Sequence, residues 1–113
     1  MNEINLKRKE SQVHQLIADI LEHNISNVNI INPTVMDVRL SSDLSDLKVY
    51  VNFESNTKKG LIALNNAAGY VRKMLAKSLD WRKVPTVRFF IDDVSEKGAR
   101  IDEILRNIEK EKQ

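Results

Sequence analysis

The apolar residues of this chain switch repeatedly between helical and strand spacing, and that switching restricts the available folds more than any single motif. Val13, Leu16, Ile17, Ile20 and Leu21 recur at three- and four-residue intervals, which predicts an amphipathic helix over residues 6–24. After the turn-forming Asn32-Pro33-Thr34 the period falls to two. Met36, Val38 and Leu40 alternate with Asp37 and Arg39; then Leu47, Val49, Val51 and Phe53 alternate with Lys48, Tyr50, Asn52 and Glu54. With Ser41–Asp46 as the reversal, this predicts an antiparallel hairpin with one buried face.

Helical spacing then returns. Leu61, Leu64 and Ala68 are followed by Val71, Met74, Leu75 and Leu79, with Asn56 or Thr57 as the cap and Pro85 as the stop. Thr86–Asp92, with Val87, Phe89 and Ile91 on one side, reads as a third strand, and Ile101, Ile104, Leu105 and Ile108 as a short final helix. A strand, a helical crossover and another strand favour parallel pairing, so the third strand is expected beside the second. The expected fold is α+β: a mixed three-stranded sheet with helices on one face. At 113 residues the chain is expected to form one domain, 1–113, with residues 1–4 and 110–113 frayed.

The composition removes several chemistries. There is no cysteine, and His14 and His23 stand apart without zinc-ligand spacing, so no metal site or other cofactor is expected. Neither histidine has a sequence partner for a proton relay. No phosphate-cradling glycine loop and no paired nucleophile and base are present, which argues against an enzyme. No apolar run is long enough to span a bilayer, and the first ten residues lack the apolar stretch of a secretion signal, so a cytoplasmic protein is expected.

The formal net charge of +2 conceals an asymmetry. Residues 1–54 carry five basic and eight acidic side chains, residues 92–113 five and seven, but residues 55–91 carry eight and one. Lys58, Lys59, Arg72, Lys73, Lys77, Arg82, Lys83 and Arg88 are opposed in that middle third only by Asp80. A solubilising surface mixes both signs, whereas a one-sign field of this kind suits a polyanion. Lys7, Arg8 and Lys9 form a smaller cluster that reads equally as a solvated helix start or a second contact. Trp81 reads as a base-stacking ring or a packing anchor.

Gly69 interrupts the long helical stretch, where glycine costs roughly 1 kcal/mol relative to alanine. The element order is that of a type II K-homology domain, but the GxxG loop of such domains is missing and Ala67-Ala68-Gly69 occupies its place. Together with SSDLSDLKVYVNF at 41–53, AAGYVRKML at 67–75, VPTVRFFIDD at 84–93 and GARIDEIL at 98–105, this resembles the bacterial ribosome-binding factor A family, in which an Ala-x-Gly kink replaces GxxG. Asp80-Trp81-Arg82 and Thr86-Val87 depart modestly from the family pattern.

The resemblance implies a factor, not an enzyme, that binds the small ribosomal subunit and its rRNA late in assembly. It also implies help in processing the rRNA ends and particular importance in the cold. On this reading Gly69 bends the chain so that the following helix aims Arg72, Lys73 and Lys77 in a new direction; the plainer reading, compatible with it, is that the glycine allows close helix packing. Lys58, Lys59, Arg82 and Lys83 join them at RNA phosphates, and Arg88, within a strand, is the outlier. Ribosomal proteins are possible further partners. Two rival functions are a general single-stranded RNA binder and a module whose basic face meets an acidic protein. Charges at Asp37 and Arg39 on the edge strand predict a monomer.

Overall fold

The computed structural model describes residues 2–94, 98, 100 and 101. Its elements are α1 (Glu3–His23), β1 (Thr34–Leu40), β2 (Asp46–Asn52), α2 (Thr57–Asn66), α3 (Ala68–Ser78) and β3 (Thr86–Ile91). The expected final helix lies outside the described residues except for Ile101. α1 starts three residues earlier than the apolar spacing predicts because Asn2 caps it, its side-chain oxygen accepting from the Asn5 N–H at 2.9 Å.

The strand order is β1-β2-β3, with β1 antiparallel and β3 parallel to the central β2. Both pairings agree with the sequence reading. Val38, Leu40, Leu47, Val49, Val51, Val87 and Phe89 bury one face of the sheet against Val13, Ile17, Ile20 and Leu21 of α1, Leu64 of α2, and Val71 and Leu75 of α3. Leu47 pairs with Val87 and Val49 with Phe89, so the same face stays inward across the parallel seam.

Four expectations need correction. Met36 is 46% exposed, because the β1/β2 register slips between Val35 and Asp37. Met36 is the extra residue of a bulge, and before it Val35 takes the core-facing role. Tyr50, expected on the solvated face, is fully buried. The Arg100 guanidinium lies over its ring at 3.9 Å and the Phe90 ring stands 5.8 Å away, so the second face of the sheet is also partly covered. Phe53 falls outside β2 and is half-buried. Finally, α3 ends at Ser78 with Leu79 extended, well before Pro85, which is buried.

Both edges of the sheet are occupied by side chains. On β1, the Leu40 N–H donates to Glu10 Oε2 at 2.8 Å and the Val38 N–H to Asp37 Oδ1 at 2.9 Å. On β3, the Phe89 N–H donates to Asn65 Oδ1 at 2.9 Å while Asn65 Nδ2 donates to the Phe89 carbonyl at 3.0 Å. The Asn65 amide thus supplies the donor and acceptor that another strand would offer, and it ties α2 to the edge it covers.

Candidate nucleic-acid interface

The break between α2 and α3 falls at Ala67, which serves both helices as a cap with φ −91° and ψ 2°. Alanine adopts this bridge-region conformation without glycine's freedom. Gly69 therefore does not make the bend. It lies within the first turn of α3, its φ is not positive, and beyond its chain neighbours and the helix's own backbone a Cβ placed on it would meet no atom within 4 Å. The glycine that packing does require is Gly60 in α2, whose Cβ would stand 2.8 Å from Cε1 of Phe53. The expectation that Gly69 creates the kink is therefore corrected.

On α3, Val71 and Leu75 face the core, and the opposite arc carries Gly69, Tyr70, Lys73 and Lys77, all exposed. At the start of α2, Lys58 and Lys59 are exposed, as is Ile62 at 62%. Neither helix has an acidic residue in its first turn. Nor does either carry a side-chain cap; the Asn56 amide donates instead to the Asn29 carbonyl at 3.3 Å. From residue 55 to residue 79 there is no acidic side chain. The α2–α3 surface is thus a field of one sign, reinforced by two helix N-termini.

The structure divides the remaining predicted cations. Arg72 sits on the flank of α3, where Nη2 and Nε donate to the Val84 carbonyl at 2.9 and 3.3 Å. It fastens α3 to the segment leading into β3. Arg82 and Lys83 are exposed in that segment. Lys83 stands near the Ser41–Ser45 reversal, where Asp43 accepts from the Ser45 hydroxyl at 2.6 Å, the Ser41 hydroxyl at 2.8 Å and the Ser45 N–H at 3.1 Å. These bonds, that of the Ser45 hydroxyl foremost, hold the Asp43 pKa at about 2 instead of the usual 3.8. Arg88 alternates with the buried Val87 and Phe89, so it projects from the sheet face opposite the helices, beside its register partner Lys48. It does not join the α2–α3 group.

Trp81 packs against the core with Lys9 Nζ 4.5 Å above its ring, which brings the start of α1 beside residues 80–84. Lys7 instead lines a shallow depression of about 240 Å³ with Glu10, Ser11, His14, Asp37 and Val38. Asp19, Glu22 and His23 bring ligand-type atoms within 4.8 Å of one another at the exposed end of α1. No helix among the described residues is long and apolar enough to cross a membrane.

Tyr70, Ile62 and Asn65 received no role from the sequence. The first had a legible signal, since it shares helical spacing with Lys73 and Lys77. Asn65 had none, because its partner is backbone 24 residues away.

Comparison with known proteins agrees with this fold. Residues 5–105 match the family model for ribosome-binding factor A. The chain is 48% identical over 108 residues to a Mycoplasmopsis agalactiae protein named ribosome-binding factor A, covering 96% of each chain. It is 43% identical over 112 residues to the protein of that name from Mycoplasmopsis pulmonis, covering 99% of this chain and all of the other. The crystal structure of ribosome-binding factor A from Thermus thermophilus superposes with a TM-score of 0.73 at 28% identity, covering 76% of this chain and 93% of that one. A homology model of the Thermus thermophilus factor, fitted into a cryo-EM map of its complex with the 30S particle, gives a TM-score of 0.65 at 29% identity. It covers 73% of this chain and 89% of its own.

Proposed function

Since the chain belongs to the ribosome-binding factor A family, we propose that it is a cytoplasmic, monomeric assembly factor that binds the immature small ribosomal subunit through rRNA. It assists the last stages of maturation, including processing of the rRNA ends, and matters most in the cold. Its contribution is binding, not catalysis.

The observation that carries this reading is the acid-free surface of α2 and α3, with Lys58, Lys59, Lys73 and Lys77 exposed on it. Lysines supply sequence-independent attraction to phosphates, and the shape of the folded RNA supplies selectivity. The relative whose model was fitted to a 30S complex supports the small subunit as the target. A general single-stranded RNA clamp of the GxxG kind is disfavoured by Ala67 and Ala68 at the elbow, where missing side chains would let four nucleotides approach. The carboxylates on the β1 edge support the monomer.

The test is reversal of Lys73 and Lys77 together to glutamate. Both are exposed, so the melting temperature should move by only a degree or two. Co-sedimentation with small subunits at physiological salt should be lost. The salt dependence of residual binding should flatten by about one unit of log–log slope for each phosphate contact removed. Normal co-sedimentation of the folded variant would overturn the proposed face.

A further inference from the structure

Three aromatic side chains with a polar tip lie among the described residues, and two of them already have a cation on the ring face. Arg100 lies 3.9 Å above Tyr50, and Lys9 lies 4.5 Å above Trp81. Each of those rings is also packed into the protein, Tyr50 completely. Tyr70 differs on both counts. It is 45% exposed, and among the described residues no cation or second ring stacks on it.

Its surroundings are specific. A helical side chain leans toward the turn before its own Cα, so the Tyr70 ring lies toward the elbow at Ala67 and beside Gly69. No side chain projects from Gly69, and apart from its chain neighbours and the helix's own backbone no atom lies within 4 Å of where its Cβ would stand. The glycine is required neither by backbone conformation nor by internal packing, yet it costs helix stability. One and two turns further along the same face stand Lys73 and Lys77. An uncovered aromatic face, an open approach and cations beyond it make up the arrangement by which proteins hold an unpaired nucleotide: base on ring, flanking phosphates on lysines.

We infer that Tyr70 is a stacking platform for an unpaired base of the bound RNA, and that Gly69 is small so that the nucleotide can reach it. The inference rests on the α2–α3 face being the RNA-binding surface and specifies what that surface takes: a single-stranded segment rather than a duplex backbone alone.

Tyr70→Phe, Tyr70→Leu and Tyr70→Ala separate the ring face from the hydroxyl and from apolar bulk. Binding to small subunits is measured across a range of salt, and binding to a short single-stranded oligoadenylate in parallel. Stacking predicts that Tyr70→Phe binds subunits like the native protein, whereas Tyr70→Leu and Tyr70→Ala are weaker by roughly ten- to a hundredfold with an unchanged salt slope. It also predicts that native protein binds the oligoadenylate more tightly than Tyr70→Leu does. Subunit binding by Tyr70→Leu as tight as by the native protein, or by Tyr70→Phe as poor as by Tyr70→Ala, overturns the inference. Equal oligoadenylate binding by native and Tyr70→Leu proteins also overturns it, since loss on subunits alone would mean that Tyr70 meets a ribosomal protein. The Lys73/Lys77 reversal reports separately on the face itself: a Tyr70 effect can fail while that face stands, whereas silent lysines would remove the face on which the inference rests.

Discussion

Replacing Gly69 with alanine separates the demands of the fold from those of a partner. In the folded protein the new methyl meets nothing within 4 Å beyond its chain neighbours and its own helix's backbone, and that backbone is already helical. What remains is the propensity difference, worth roughly 0.5–1 kcal/mol in a helix interior. At the second residue of α3 the smaller figure applies, because the first turn is only partly constrained. A gain of about 0.5 kcal/mol corresponds to a rise of roughly 2–4 °C in melting temperature for a domain of this size. Calorimetry on the pair of proteins reads it directly. The same substitution at Gly60 carries the opposite sign. There the methyl is driven into the edge of the Phe53 ring, at 2.8–3.1 Å from three of its carbons, and overpacking of roughly 1–3 kcal/mol exceeds the helix gain. Small-subunit binding completes the comparison: Gly69→Ala should bind more weakly although it is more stable. A lower melting temperature for Gly69→Ala would refute the claim that the fold does not need this glycine. Unchanged binding would refute the claim that a partner does.

Three other perturbations follow from the geometry. Asn65→Ala leaves both the N–H and the carbonyl of Phe89 without their partner and should cost about 2 kcal/mol in chemical denaturation; a loss below a few tenths would mean that water replaces the amide freely. Arg72→Glu removes the tie to the Val84 carbonyl, so it should lower stability by roughly 0.5–1 kcal/mol while Lys73→Glu, at an exposed mid-helix position, does not; equal melting temperatures would show that the tie contributes nothing. Because the folded pKa of Asp43 is depressed to about 2 from 3.8, its contribution to stability is complete above about pH 4 and disappears as pH falls toward 2. An NMR titration of the Asp43 carboxyl with a midpoint near 3.8 would contradict the hydrogen bonds drawn to it, and Asp43→Asn should abolish that part of the acid dependence.

The extent to which the fold could be read depended on where each constraint originates. Alternation at period two identified the core face of all three strands because one face meets helices, and a register error would expose every apolar residue at once. It failed at Met36 because a bulge adds a residue without a composition mark, and parity before a bulge is the reverse of parity after it. It failed at Tyr50 because the group that buries that ring, Arg100, comes from the far end of the domain and is itself held by Asp37 at 2.8 Å and Asp92 at 3.3 Å. The elbow lies within the expected Ala67–Gly69 stretch, but the residue that makes it is not the glycine: glycine suggests a break by its freedom, and Ala67 occupies the bridge region without it.

For the interface, charge was legible and direction was not. Lys73 and Lys77 point outward because Val71 and Leu75 point inward, which helical spacing alone conveys. Arg72 lies on the same helix, but its flank faces the segment before β3, and a long side chain near an unpaired carbonyl bonds to it. That partner is 12 residues away and on no regular element. Arg88 could have been separated earlier, since inward Val87 and Phe89 force the residue between them onto the face away from the helices. Counting cations in a basic segment therefore overstates a binding surface. The count that matters subtracts those turned to the other face and those engaged by the backbone, leaving Lys58, Lys59, Lys73 and Lys77 on α2 and α3, with Arg82 and Lys83 beyond them. A surface of so few charges binds strongly only if something besides charge contributes, and the uncovered ring of Tyr70 is the group on that face able to do so.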